Sequence, residues 1–240
     1  MENKQVPGSD KTTGNVVITD IPFEIKPEEV LGALRMTRSN PSLEKTVDDL
    51  VNAARSNAVP KALFKVAFVD DLTDSGVVVD GVLMESSILR QNLQEVERVF
   101  PYIVTAGREL DTMETVKDDI MAVFCLDTIK EMILESAIQY FVQHIEKTFS
   151  PGKTAHMNPG SLGDWPIYQQ RQVFSLFGDV ESLIGVSLTE SCLMNPVKSV
   201  SGILFPAEFD FKSCMLCTRH PCSKRKAKYN PEMVRKYKES

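Results

Sequence analysis

The sequence contains no run of about 18 consecutive apolar residues, the length that a membrane-spanning helix requires. The first 14 residues are polar and lack the apolar stretch of a secretory signal peptide. We therefore expect a cytoplasmic protein without a membrane segment. Phosphate-binding loop, HExxH and GxSxG motifs are also absent, so the sequence indicates no self-contained hydrolase and assigns no catalytic residue.

The composition is that of an ordinary globular protein, with 42% apolar and 25% charged residues among 240. This excludes a disordered or low-complexity chain. The net charge of −6 is unevenly distributed, because residues 219–240 carry +6 and the rest of the chain −12. An acidic body argues against nucleic acid as the main partner. The basic end of the chain either docks on an acidic partner or is simply solvated.

Hydrophobic periodicity predicts an α+β fold in one domain. The most regular pattern is a long helix over 109–149, in which apolar residues recur every four positions. The remaining helices are predicted from Pro27, after Pro41, and over 88–96 and 167–177. The strands are predicted over 15–20, 62–69, 77–79, 100–105, 187–192 and 199–205. Hairpin-like neighbours outnumber βαβ units in this order, so the sheet should be largely antiparallel.

Residues 150–166 interrupt the pattern with three prolines and three glycines in 17 residues. We predict that the part 158–166, called the 158–166 loop below, lines a ligand pocket, since Gly160 and Gly163 permit close backbone approach. Trp165 could stack on an adenine. Asp164 could accept a hydrogen bond from an amine or a ribose hydroxyl, or it could cap the following helix, with Pro166 in its first turn.

Small residues at Ser199, Val200, Ser201 and Gly202 form a second candidate region. They could let a flat cofactor or a partner backbone approach closely, or they could belong to a strand that faces a helix. His156 is a weaker candidate for a ligand contact, since it lies between the prolines of the interrupted segment.

The five cysteines are an odd number, which argues against a disulfide framework in a cytoplasmic protein. Cys214, Cys217 and Cys222 lie within nine residues, a spacing at which three thiolates can reach one metal or cluster. Cys192 or His220 could be the fourth ligand. Structural zinc, an iron–sulfur cluster and unligated thiols all remain open.

Several blocks of residues together resemble the activation domain of cobalamin-dependent methionine synthase, in its free-standing form. The resemblance covers about residues 15–210. The matching residues downstream are Pro159-Gly160, Gly163-Asp164, Pro166, Ile184-Gly185-Val186, Leu188-Thr189, Met194, Pro196 and Ser199-Val200-Ser201-Gly202. The matching residues upstream are Thr105-Ala106-Gly107, Glu109-Leu110, Leu126-Asp127 and Glu135. The chain departs from the family where Met157 and Asn158 stand before Pro159-Gly160, and where Ser161 and Leu162 follow.

The resemblance implies a single α+β domain with a bent, largely antiparallel sheet flanked by helices. It divides the chain into a flexible N-terminal arm (1–14), the activation-like domain (15–213) and a basic, cysteine-containing tail (214–240). It also implies a cofactor site that includes Glu135 together with the two regions described above. The full set predicted to bind cofactor is Glu135, Asn158, Pro159, Gly160, Ser161, Gly163, Asp164, Trp165, Ser199, Ser201 and Gly202.

The function implied by the resemblance is reactivation of a corrinoid protein in trans, with S-adenosylmethionine as the methyl donor to Co(II) cobalamin. The partner would supply the cobalamin, as a corrinoid-binding protein or a split methionine synthase, and a separate protein would donate an electron. Such a system belongs to methionine biosynthesis or to another corrinoid methyltransferase pathway. The chain lacks the other modules of a complete methionine synthase. The alternative is a non-catalytic corrinoid-protein binding or electron-transfer module with a metal or iron–sulfur site at Cys214, Cys217 and Cys222.

Overall fold

The computed structural model describes residues 14–35, 40–113, 119–209, 211–222 and 224–239. The predicted N-terminal arm lies outside these residues, except for Gly14. The strands are β1 (Val16–Ile18), β2 (Lys61–Phe64), β3 (Ala67–Leu72), β4 (Val77–Val79), β5 (Val82–Met84), β6 (Arg98–Thr105), β7 (Thr154–Met157), β8 (Ser187–Leu188), β9 (Met194–Asn195) and β10 (Ser199–Pro206). The helices are α1 (Pro27–Ala33), α2 (Pro41–Asn57), α3 (Ser87–Asn92), α4 (Ile120–Phe149), α5 (Gln170–Ser175), α6 (Val180–Ile184) and α7 (Pro231–Glu239). Within the described ranges, no helix is long and apolar enough to cross a membrane.

Strand β6 is the centre of the main sheet. One of its edges pairs with β2 and β3, and the other pairs with β10, which pairs in turn with β7. β1 continues the sheet beyond β2, and the β4–β5 hairpin continues it beyond β3. All these ladders are antiparallel, as is the small β8–β9 sheet, which confirms the predicted fold class.

Helix α4 covers one face of this sheet with the predicted apolar stripe. Ile129, Ile133, Ala137, Phe141 and Ile145 are all completely buried. The last three pack against β2 and β6, while the first two pack against α1 and α2. The helix begins at residue 120 rather than 109, because Glu109–Thr112 forms a separate 3₁₀ turn.

The opposite face of the sheet is covered by α5, α6 and the 158–166 loop. Its core contains the inward side chains of β7 and β10 together with those of the covering segments. Trp165, Val173 and Phe177 are among these side chains. The two edge-strand residues Ala155 and Met157 point into this core, so Thr154, His156 and Asn158 face the α4 side.

The structure corrects several predicted boundaries. The predicted strand 62–69 is divided into β2 and β3 at residues 65–66. The pairing with β6 nevertheless continues across this break, since Lys65 N donates to the Pro101 carbonyl (3.3 Å). The predicted strand 187–192 contains only β8. Strands β5 and β7 and helices α6 and α7 were not predicted. β7 becomes a strand only through its pairing with β10, and it lies inside the segment that the sequence predicts to be a loop.

Candidate functional site

The 158–166 loop is a compact turn with its own hydrogen bonds. Gly160 N donates to the Trp165 carbonyl (2.7 Å), and Ser161 N donates to the Asn158 carbonyl (3.1 Å). Gly160 has a φ of 85°, and a Cβ atom there would lie 2.7 Å from Ile167 Cδ1. The backbone conformation therefore favours glycine at position 160, whereas the exposed Ile167 side chain could move to admit a Cβ atom.

The loop residues differ in exposure. Gly160, Ser161 and Gly163 are exposed, whereas Pro159 is buried. A Cβ atom at Gly163 would have nothing within 4 Å, so the fold does not require glycine there. Trp165 is completely buried in the core. Its indole therefore presents no ring face on which an adenine could stack.

Asp164 caps a helix, but not the one that follows it in the sequence. Its carboxylate accepts hydrogen bonds from the backbone N–H groups of Ser87 (3.2 Å) and Ile88 (3.1 Å), at the start of α3. The Ser86 hydroxyl also donates to it, while Ser86 Oγ accepts from Leu89 N (2.9 Å) as the N-cap of α3. Asp164 thus ties the loop to a helix about 76 residues earlier in the chain.

Asn158 links the start of the loop to the central strands. Its side-chain amide donates to the Tyr102 hydroxyl (2.7 Å) and to the Ser201 carbonyl (2.8 Å). Burial raises the pKa of the Tyr102 phenol well above its usual range, against the opposing effect of the hydrogen bond with Asn158. A Cβ atom at Gly202 would lie 2.3 Å from the Met157 carbonyl oxygen and 2.5 Å from Asn158 Nδ2. Gly202 is therefore required by close packing between β7 and β10.

The serines of β10 are used inside the protein. Ser201 is buried, and its hydroxyl donates to Gln170 Oε1 on α5 (3.1 Å). Ser199 Oγ contacts Thr105 Oγ1 (2.9 Å). The small residues at 199–202 thus belong to a strand packed against a helix, which is the structural alternative considered above.

Glu135 lies in an acidic row on α4 together with Asp127 and Glu131. Lys198 pairs with Asp127 (2.9 Å), and Lys224 from the C-terminal part of the chain pairs with Glu131 (2.8 Å) and Glu135 (3.6 Å). The pairing with Glu131 raises the pKa of Lys224, with a smaller contribution from Glu135. The side chain of Lys224 is 57% exposed, so these ion pairs contribute little stability each.

His156 lies on β7 rather than in a loop. Its pKa is lowered mainly by burial, and further by the positive charges of Lys226 and Lys212. Both lysines belong to the C-terminal part of the chain, which therefore passes close to the α4-facing side of this edge strand.

Cys214, Cys217 and Cys222 are partly buried free thiols in a loop organised around Arg225. The Arg225 guanidinium donates to the carbonyls of Cys214 (3.0 Å) and Cys217 (3.1 Å). The backbone N–H of Lys226 points at Cys214 Sγ, 3.4 Å away.

The proposed fourth ligands do not complete a metal site with these thiols. Cys192 is buried and its sulfur accepts a hydrogen bond from Arg171 Nε (3.1 Å), while His220 is exposed. Across the described ranges, no group of three or more His, Cys, Asp or Glu residues is arranged to hold a metal ion. We therefore derive no redox step through these cysteines, and metal binding there stays a prediction.

A pocket of about 440 Å³ lies beside the exposed part of the 158–166 loop. The loop, the start of α3 and the C-terminal part of the chain each supply a wall. The lining residues are Ser87, Ile88, Leu162, Gly163, Asp164, Leu216, Val234 and Tyr237. A larger pocket of about 580 Å³, between α3, α7 and residues 205–209, contains none of the predicted site residues. We take the smaller pocket as the candidate site, because it alone of the two includes the loop.

Sequence reasoning missed the residues that hold the loop in place. Ser86 precedes an apolar run and is a typical N-cap, so it could have been found from its sequence context. Tyr102 gave no such signal, since its partner Asn158 lies on another segment of the chain.

A scan against protein-family models found no match for this chain, and a search of the curated proteins found none either. A search of the solved structures found the crystal structure of the MetH reactivation domain bound to AdoHcy, with a TM-score of 0.57 and 14% sequence identity. The match covers 83% of this chain and 81% of that chain. The similarity establishes the fold: a mixed α/β domain with an antiparallel sheet flanked by helices.

Proposed function

We propose that this protein binds S-adenosylmethionine and reactivates a corrinoid protein in trans. The observation that carries the proposal is the similarity in fold, over 83% of the chain, to a reactivation domain whose structure contains AdoHcy. The residue blocks that resemble the methionine synthase activation domain support it independently, because they were identified from the sequence alone. The partner would be a corrinoid-binding protein or a split methionine synthase.

The chemistry would come from the two cofactors, and the protein would supply binding and orientation. In the reaction, Co(II) gains one electron from a separate donor protein and a methyl cation from S-adenosylmethionine, which leaves methyl-Co(III) and S-adenosylhomocysteine. The donor protein is a partner that the proposal requires. This chain would hold the sulfonium methyl group towards the partner's corrinoid.

The pocket beside the 158–166 loop is the proposed ligand site. The carboxylate of Asp164 and the amide of Asn158 already have partners within the protein. Recognition would therefore depend on the backbone of the exposed Gly163, which lines the pocket, more than on these side chains. Main-chain N–H and C=O groups recognise polar ligands well where glycine allows close approach.

Calorimetric titration with S-adenosylmethionine and S-adenosylhomocysteine tests this proposal. We expect saturable binding by the wild type and its loss in Gly160→Val and Gly163→Val. Gly163→Val is the more informative variant, because the fold leaves open space at that position. Gly32→Val is the matched control, since Gly32 is exposed and also has open space around its Cβ position. Equal affinity in Gly163→Val and Gly32→Val would refute the assignment of the pocket.

Methyl transfer is tested with a purified corrinoid protein in the Co(II) state, a one-electron reductant and S-adenosylmethionine. We expect the visible spectrum of methylcobalamin to form only when all components and this protein are present. Formation at the same rate without this protein would contradict the proposal.

A second function, a non-catalytic corrinoid-protein binding or electron-transfer module, is favoured by the engagement of Asn158, Asp164 and Ser201 in contacts within the protein. This alternative predicts capture of a corrinoid protein without any binding of S-adenosylmethionine. It includes a zinc ion or iron–sulfur cluster at the three clustered cysteines. Metal analysis and a visible spectrum of protein purified without oxygen test that part. If protein purified without oxygen carries neither zinc nor a cluster and all three thiols are rapidly alkylated, this part of the alternative is contradicted.

A further inference from the structure

The C-terminal segment, residues 211–222 and 224–239, is fixed to the domain at both of its ends. At its start, Phe211 is buried in the core, and its ring lies 5.9 Å from that of Tyr237. At its end, the Tyr237 hydroxyl donates to Asn92 Oδ1 (2.9 Å), and Gln91 Nε2 donates to the Tyr237 carbonyl (3.0 Å). Helix α7 is thereby held on α3.

The middle of the segment is folded mostly on itself. Arg225 donates to three carbonyls of the cysteine loop, those of Cys214, Cys217 and Arg219. The cysteine loop is closed by the backbone N–H of Asn230, which donates to the Met215 carbonyl (2.8 Å). These contacts lie within the segment, so they would persist if residues 213–222 and 224–230 moved away from the domain as a unit.

The contacts between this middle part and the domain are weaker. Lys224 reaches Glu131 and Glu135 across an exposed surface, where water weakens each ion pair. Leu216 forms one wall of the pocket beside Gly163 and Asp164.

We propose that residues 213–222 and 224–230 form a lid over the pocket and over the adjoining side of β7, held shut by the ion pairs of Lys224 with Glu131 and Glu135. The ends stay anchored while the lid lifts, because Phe211 is buried in the core, whereas the middle part contacts the domain through the exposed ion pairs of Lys224 and the partly buried Leu216. Lifting removes Leu216 from the pocket wall and admits a ligand beside the 158–166 loop. This inference concerns access to the pocket and does not depend on which ligand binds there.

Hydrogen exchange of the lid amides tests the proposal, with Lys224→Gln compared to Lys228→Gln. Both variants remove one positive charge from the same segment, but the described residues contain no ion pair of Lys228. If the lid opens at the Lys224 ion pairs, Lys224→Gln accelerates exchange over the lid by up to about fivefold, which corresponds to about 1 kcal/mol. Added salt should accelerate exchange in the wild type and much less in Lys224→Gln.

The NMR titration of His156 provides a second readout. Lifting the lid exposes this imidazole and removes the charge of Lys226, while Lys212 lies outside the lid. The pKa of His156 should therefore rise towards the ordinary value in Lys224→Gln and stay depressed in Lys228→Gln. The buried thiols of Cys125 and Cys192 report on the rest of the fold, because they react only if the domain itself opens. Equal exchange and equal His156 titration in the two variants would overturn the proposal. So would acceleration that is matched by reaction of Cys125 and Cys192, since that pattern reports global unfolding.

Discussion

Replacement of Asp164 by alanine should separate the structural role of the 158–166 loop from its role in ligand binding. The change removes an acceptor used by two backbone N–H groups of α3 and by the Ser86 hydroxyl. Hydrogen bonds to a charged group contribute about 1.5–3 kcal/mol each, and loss of a helix cap costs about 0.5–2 kcal/mol. Ser86 still caps α3, and water can reach the partly exposed N–H groups. We therefore expect a total loss of about 2–3 kcal/mol.

Urea unfolding followed by circular dichroism measures this loss directly, and the melting temperature should fall by about 4–12 °C for a domain of this size. Asp179→Ala is the first control, because Asp179 caps the neighbouring helix α6 through a local, exposed contact and should therefore cost less than Asp164→Ala. Asp49→Ala is the second control, because this exposed carboxylate on α2 should change stability by less than about 0.5 kcal/mol.

A double-mutant cycle with Ser86→Ala measures the coupling between the loop and α3. We expect a coupling energy of about 1–2 kcal/mol, because the two side chains form one hydrogen-bonded cap. If Asp164→Ala costs no more than Asp179→Ala and the coupling is zero, Asp164 does not fix the loop on α3 in solution.

Three further outcomes follow from the same structure. Gly202→Ala should destabilise the protein by several kcal/mol in urea unfolding, because the added Cβ would meet the Met157 carbonyl. Gly163→Ala should change stability by less than about 1 kcal/mol. Equal effects of the two variants would contradict the close packing at β10. The pKa of His156 is lowered in the folded state, so its contribution to stability should be complete above about pH 6.5 and should be lost as the pH falls below that value. His156→Gln should flatten the stability–pH profile in this range. An unchanged profile would show that this histidine does not cause the loss of stability. Acrylamide should quench the fluorescence of the buried Trp165 only weakly until the protein unfolds, and strong quenching of the native protein would show that the indole is accessible.

The elements that could be predicted from sequence are those whose pattern is local. The stripe of α4 repeats every four residues and buries one face, so its periodicity is visible in any window of the sequence. Helix α2 begins at Pro41, where proline suits the first turn and Asn40 accepts from Leu43 N. The antiparallel sheet followed from the order of short elements.

The parts of the site that could not be predicted depend on contacts between distant segments. That Asp164 caps a helix was one of the two possibilities considered, but the sequence cannot say which helix a carboxylate reaches when that helix lies 76 residues away. Thr154–Met157 has no strand pattern of its own and is extended because β10 pairs with it. Trp165 lies in a polar loop before a helix, a sequence context that predicts exposure to solvent. Only the packing of that loop onto the core buries the side chain. The ligand contacts of the predicted site residues stay predictions.

The position of β6 at the centre of the sheet has a consequence for how this chain is made. Its pairing with β10 joins residues that are 94 positions apart in the chain. During synthesis, β2 and β3 precede β6 and are available to pair with it, but its other edge has no partner strand until residues 199–206 have left the ribosome. An unpaired edge of apolar residues is a template for aggregation. The risk of aggregation of the nascent chain therefore increases with the time between translation of β6 and of β10. Helix α4 is translated between these two strands and can cover one face of the unfinished sheet during that time.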